Sequence, residues 1–263
     1  MRKKNVIVPA LFFAVGIVGM ILRKVQLETI FDPVSGLANP SPVNTALTAL
    51  TLAVIAGAVA FAWPIKKELG KFDPLYAFPV SGKVELGALT VFGSLLGVCA
   101  VLNFVLDKTE TAVIKGIFAV MGVLTAVSVV LSALRAAKGE KAAGGVLSVI
   151  PPLFAAWWLV VTYKDNNTNP VLLEYCWSCL AAASAATAFY YAAGFDYGIR
   201  HVRRTVVSHL LAVYFCLVAV PDGGNIALSA AWIAIAGIML TRLWAMLSGR
   251  QPEAVEPEKK SEE

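Results

Sequence analysis

Residues 86–106 read LGALTVFGSLLGVCAVLNFVL and residues 116–134 read GIFAVMGVLTAVSVVLSAL, two runs without a Lys, Arg, Asp or Glu, separated by the short DKTETAVIK. A helix rises about 1.5 Å per residue and the hydrocarbon of a bilayer is about 30 Å thick, so about 20 apolar residues suffice to cross it. Lipid offers backbone groups no hydrogen-bond partner, so each run is expected to be a helix. Outward from this pair, six more blocks read the same way: residues 5–22, 44–65, 142–163, 175–195, 205–220 and 226–247. Across all eight the sole formally charged residue is Arg242. It stands near the end of its block, where it is expected to snorkel toward the headgroups.

The composition agrees. Hydrophobic residues make up 58% of the 263 and charged ones 15%, with mean hydropathy +0.73. Soluble domains sit near about 45–50% and about 25%, which excludes an ordinary soluble enzyme. The expected fold is all-α: a polytopic bundle of eight transmembrane helices forming one domain over residues 1–250. A polar, Pro-containing tail over 251–263 is expected to be disordered. The seventh block is the shortest, and a re-entrant hairpin is its competing reading.

Of the 22 Lys and Arg residues, sixteen fall on the side that holds both termini and five on the other. Cationic connections stay in the cytoplasm, so both termini are expected there. The first block is not read as a signal peptide, because Arg23-Lys24 stands where a small-residue cleavage site would be. The net charge of +5 follows from the same sorting. It implies attraction to anionic lipid and no nucleic-acid partner.

Two connections are long, 23–43 and 66–85, and both carry Asp-Pro and further proline, which predicts ordered turns or short amphipathic pieces along the surface rather than soluble domains. Residues 7–15 (IVPALFFAV) align with 149–157 (VIPPLFAAW), and 52–63 (LAVIAGAVAFAW) with 180–191 (LAAASAATAFYY). The matched order suggests a 4+4 duplication, two halves in parallel orientation with any cavity at their seam. Small residues four apart (Ala49, Ala53 and Gly57; Gly93 and Gly97; Ala182 and Ala186) predict close helix contacts. Trp63, Tyr163, Tyr175, Trp177 and Trp244 near block ends read as an interfacial belt.

Few residues point to chemistry. Cys176 and Cys179 form a C-x-x-C on one helix face, a candidate redox pair on the outer side. Glu174 nearby disfavours the thiolate, and buried cysteine is a common small hydrophobe. His209 lies one to two turns inside its block. It is a candidate proton or anion contact, with a hydrogen bond to a neighbouring helix as the plainer use. Pro151-Pro152 falls near the middle of the fifth block and is expected to kink it, and broken helices hold ligands in transporters. Asn103, Glu174 and Ser178 complete the candidate ligand or pathway residues, predicted to meet the proline bend in one water-filled cavity. No catalytic residue, metal site or cofactor is expected, since Walker, Rossmann, nucleophile-elbow and H-E-x-x-H patterns do not occur.

Phe31-Asp32-Pro33 with Ser35-Gly36-Leu37, and Asn169-Pro170-Val171-Leu172-Leu173-Glu174-Tyr175 leading into the sixth block, resemble segments of a family of uncharacterised multi-helix integral membrane proteins from Gram-positive anaerobic bacteria. The resemblance spans the first to the seventh helix. It implies a bacterial plasma membrane location and assigns no functional residue. The leading expectation is a small-solute permease or substrate-binding membrane subunit. The alternatives are a thiol oxidoreductase and a structural or sensory partner of another membrane protein.

Overall fold

The computed structural model describes residues 2–31, 37–68, 80, 82–108, 110–138, 145–199 and 201–248. The tail 251–263, most of the connection 69–79 and the Asp32–Gly36 motif lie outside them. The described residues form eight helices: α1 (Arg2–Thr29), α2 (Pro42–Glu68), α3 (Lys83–Leu106), α4 (Ala112–Ala137), α5 (Val146–Asp165), α6 (Cys176–Asp196), α7 (Val202–Val218) and α8 (Ile226–Ser248). Short 3₁₀ turns at Leu172–Glu174 and Val220–Asp222 precede α6 and α8.

Side-chain bonds between helix ends set the direction of every helix. Arg23 near the end of α1 reaches Asp222 just before α8 and the Glu174 carbonyl just before α6. Gln26 reaches Asn44 at the start of α2, Asn225 reaches Asn103 near the end of α3, and Lys164 at the end of α5 reaches Glu110 before α4. All of these lie at one end of the bundle, termed here the Asp222 end. At the opposite, Arg242 end, Arg242 of α8 meets Ser132 of α4, Tyr197 after α6 meets the Gly145 carbonyl before α5, and Arg203 of α7 lies over Trp63 of α2. Consecutive helices therefore run antiparallel through one slab.

Six of the eight, α1 to α5 and α8, are long and apolar enough to cross a membrane. Helix α6 is diluted by Ser, Thr and Tyr, and α7 has only 17 residues, two of them Arg203 and Arg204. Both are nevertheless among the most buried, because α7 packs against α1, α2, α6 and α8. It is one continuous helix rather than a re-entrant hairpin.

Helices α3, α4, α5, α6 and α8 form a circuit in which α6 and α8 touch only slightly and are joined mainly through α7, which packs on both, with α1 and α2 outermost. The tightest seam is α3 on α4. A Cβ on Gly97 would lie 3.0 Å from Ala126, one on Gly93 3.1 Å from Val130, and one on Gly122 would collide with Ala100. Without a hydrophobic drive between helices in lipid, this close approach supplies dispersion contact instead. The predicted stripe on α2 does not do so, since Ala49, Ala53 and Gly57 are exposed. The 4+4 reading also meets an asymmetry. Helix α3 packs on α8, but among the described residues the twofold counterpart, α7 on α4, is not a comparable interface.

Helix limits differ from the sequence reading where polar residues join a helix. Helix α1 continues seven residues past the apolar block because Arg23 and Gln26, both fully buried, find partners within the bundle. Helix α5 begins at Val146, which moves Pro151-Pro152 from mid-helix to its second turn. Proline removes the donor that Leu147 O would accept, and Ser128 of α4 replaces it, its hydroxyl donating to that oxygen at 2.6 Å. The helix runs unbroken, so the expected interruption is absent.

Candidate functional site

The interior of the five-helix circuit holds two cavities. The larger, about 370 Å³, opens at the Asp222 end between α3, α4, α5 and α8. Asn103, Asp107, Glu110 and Lys115 line it from α3, α4 and their connection, Thr162 and Asp165 from α5, and Asn225 from the start of α8. Gly224, at φ +66°, turns the chain so that Asn225 can cap α8, its Oδ1 accepting from the Leu228 N–H at 3.0 Å. The same side chain donates to Asn103 Oδ1 at 2.8 Å. Lys115 donates to the Asp107 carbonyl and lies over the Phe104 ring. Glu110 is held below the usual carboxylate range, chiefly by its hydrogen bond with Asp165 and further by Lys164. The rim thus carries both carboxylates and ammonium groups.

Phe118 and Trp158 form the floor of this cavity. Phe118 meets Phe154 and Trp158 at 5.1 Å centroid distances, and Trp158 stacks on Trp232 of α8 at 3.8 Å. Such pairs add about 0.5–1.5 kcal/mol each beyond burial, so the layer is a rigid partition. On the α4 face between Phe118 and Ser132 lies Thr125, fully buried, whose hydroxyl has no hydrogen-bond partner among the described residues.

Beyond the partition a second cavity, about 30 Å³, lies at the Arg242 end among Ser128, Ser132, Ser148, Pro151, Phe189, Asp196 and Arg242. Arg242 does not snorkel. It is 8% exposed, donates to Ser132 Oγ at 3.3 Å, lies over the Phe189 ring, and has Asp196 as its counter-charge. Burying a guanidinium at membrane depth is tolerated only where protein groups replace water.

A third polar cluster lies outside the circuit. Arg23 Nε donates to Asp222 Oδ1 at 2.7 Å, Nη1 to Gln26, and Nη2 to the Glu174 carbonyl, while Ser178 donates to Asp222 Oδ2 at 3.3 Å. Burial pushes the Asp222 carboxyl up to about 6 against the pull of Arg23.

The predicted site residues are dispersed over these places. Asn103 lines the large cavity and Pro151 the small one, while Glu174 and Ser178 belong to the Arg23 cluster. His209 is fully buried, and its Nδ1 lies 2.8 Å from the Thr205 carbonyl of its own helix. Cys176 and Cys179 are free, half-buried thiols. Trp177 is buried against Phe215 rather than at an interface, whereas Trp63 is 65% exposed with Arg203 over its ring. The chain matches no protein-family profile, no curated protein and no solved structure, so the reading of these sites rests on their own geometry.

Proposed function

We propose that this chain is an eight-span membrane protein that binds a small polar solute in the cavity of the α3–α4–α5–α8 seam and passes it across the bilayer. The supporting observation is the placement of two polar cavities along one helical circuit with the Phe118–Phe154–Trp158–Trp232 layer between them. A solute site that is closed on one side by a partition is what alternating access requires. In this reading the structure is open at the Asp222 end, which the charge asymmetry puts outside, both termini are cytoplasmic, and the membrane is the bacterial plasma membrane that the resemblance implies. The mixed charges of the rim suit a solute with ammonium or carboxylate groups, and the volume suits one the size of an amino acid.

Uptake of labelled glycine, putrescine, glycerol and lactate into proteoliposomes tests the proposal. Saturable uptake of one of them, reduced by exchanging Asn103 for Ala and Asp165 for Asn, is the expected result. Uptake of none, together with no ligand-dependent rise in melting temperature, removes the transport reading.

A further inference from the structure

The small cavity at the Arg242 end has a composition that the solute site does not explain. Its volume, about 30 Å³, holds about one water molecule. Ser128 and Ser132 spend their hydrogens on backbone carbonyls, of Leu147 at 2.6 Å and Val129 at 2.9 Å, while the Ser148 hydroxyl is shared between the Gly145 carbonyl at 2.8 Å and the Asp196 carboxylate. What the hydroxyls have left to offer a guest is lone pairs. Ser132 already uses one to accept from Arg242.

Asp196 ends α6, half-buried, and the next residue, Tyr197, is exposed. The charged and polar groups facing Asp196 are Arg242 of α8, Arg135 of α4 and Ser148 before the α5 prolines. His209 of α7 is an electrostatic neighbour of Arg242. The site is too small for an organic solute. Its fixed guanidinium repels a metal cation, and the committed serine hydrogens leave an anion few donors. A proton needs neither room nor a set of donors, only the Asp196 carboxylate, and the guanidinium that opposes its arrival receives the carboxylate when it leaves.

We propose that Asp196 is the proton-binding site of the transport pathway, with Arg242 as the counter-charge that pairs with the carboxylate when the proton leaves. The proton passes from the Asp196 carboxyl oxygen to water in the cavity or at the exposed edge of α6, and the carboxylate left behind is held by Arg242 and Ser148. Loading and unloading this site changes the charge between α6 and α8, two walls of the circuit that also encloses the solute cavity. The inference rests on the transport reading for its meaning, but the proton site is testable without any solute.

The carbonyl stretch of a protonated carboxyl, followed by infrared difference spectroscopy across a pH titration of the purified protein, is the direct readout. Beside the band of Asp222, wild type is expected to show one that Asp196→Asn lacks and Asp222→Asn keeps. Arg242→Gln is expected to raise its midpoint by about 1–3 pH units, the shift an opposite charge at close range produces, and Arg242→Lys to restore it. If Arg242→Gln does not fold, Ser148→Ala serves in its place, since losing a hydrogen bond to the carboxylate also raises the midpoint. A carboxyl spectrum identical in wild type and Asp196→Asn, or a midpoint indifferent to both neighbours, overturns the proposal. In proteoliposomes, an inward proton gradient should accelerate uptake of whichever of glycine, putrescine, glycerol or lactate is transported, and Asp196→Asn should abolish the acceleration. Uptake indifferent to the gradient in wild type overturns proton coupling and leaves the permease intact. No uptake of any compound beside a titrating Asp196 overturns the permease and leaves the proton site standing.

Discussion

Arg23 and Asp222 are 199 positions apart in sequence and 2.7 Å apart in space, and neither side chain is more than 4% exposed. The pair fastens the end of α1 to the turn that launches α8, and its second carboxylate oxygen takes Ser178 of α6. Gly223 and Gly224, the next two residues, line the large cavity. The fastening therefore also fixes one wall of the proposed solute site.

Removing one partner of a buried pair strands the other charge. Arg23→Gln is expected to destabilise by about 3–5 kcal/mol. The double variant Arg23→Gln with Asp222→Asn should recover much of that loss, because no charge is then left unpaired. Melting temperatures in detergent for the four members of the cycle decide it. A single variant as stable as wild type would show that the pair contributes nothing.

The same carboxylate makes stability depend on pH. Burial raises Asp222 from 3.8 to about 6, so between these values the folded state holds a proton that the unfolded chain has released. Stability conferred in this way is present in acid and is lost as pH rises toward the folded value and beyond. Acidifying from pH 7 to pH 5 should stabilise wild type by about 1 kcal/mol relative to Asp222→Asn. A difference of the opposite sign would mean that Arg23 outweighs burial.

Ser128 and Pro151 should be coupled. Ser128→Ala leaves the Leu147 carbonyl without the donor that proline cannot supply, at a cost of about 1–3 kcal/mol. Pro151→Ala restores an N–H on the same helix, so the double variant should be more stable than Ser128→Ala alone. Thermal unfolding of the three variants measures the coupling, and additive losses would refute it.

Gly122 faces Ala100 at a separation that leaves no room for a side chain. Gly122→Val should push α3 from α4 and cost about 1–3 kcal/mol. Gly87, whose added Cβ would meet nothing within 4 Å, serves as the control, its Ala variant melting close to wild type.

Single cysteines at Lys108 and Tyr197, introduced after Cys99, Cys176, Cys179 and Cys216 are replaced, report sidedness. A membrane-impermeant maleimide is expected to label position 108 in intact cells and position 197 only after permeabilisation. Labelling of both from outside would overturn the proposed eight-span topology.

The helical architecture was legible because apolar length leaves lipid-facing chain few alternatives, and the limits of α3, α4 and α8 follow the apolar blocks closely. The polar interior was not. Arg23 and Arg242 both stand near the ends of apolar blocks, where sequence favours exposure. Their burial depends on partners 110 to 199 positions away, Ser132 and Asp222. Pro151 announced a missing donor, but its replacement comes from α4, 19 residues from the freed carbonyl. Trp177 looked interfacial from its position alone, and only the packing of α6 on α7 shows that it faces Phe215. Asn103 was recognised as a polar residue in an apolar run, yet its cavity is formed with Asn225 and Asp165 rather than with Glu174 and Ser178.

The central place of α7 bears on how the polypeptide is made. A 17-residue helix with two arginines and a histidine partitions poorly into lipid alone, and its stability comes from the four neighbours that surround it. During synthesis, three of these neighbours precede it and α8 emerges afterwards. The expected order of biogenesis is that α7 is retained at the insertion machinery until α8 arrives and the two enter as a hairpin. A nascent chain cut short before residue 226 should accordingly be handed to quality-control proteolysis, whereas one extended through residue 248 escapes it.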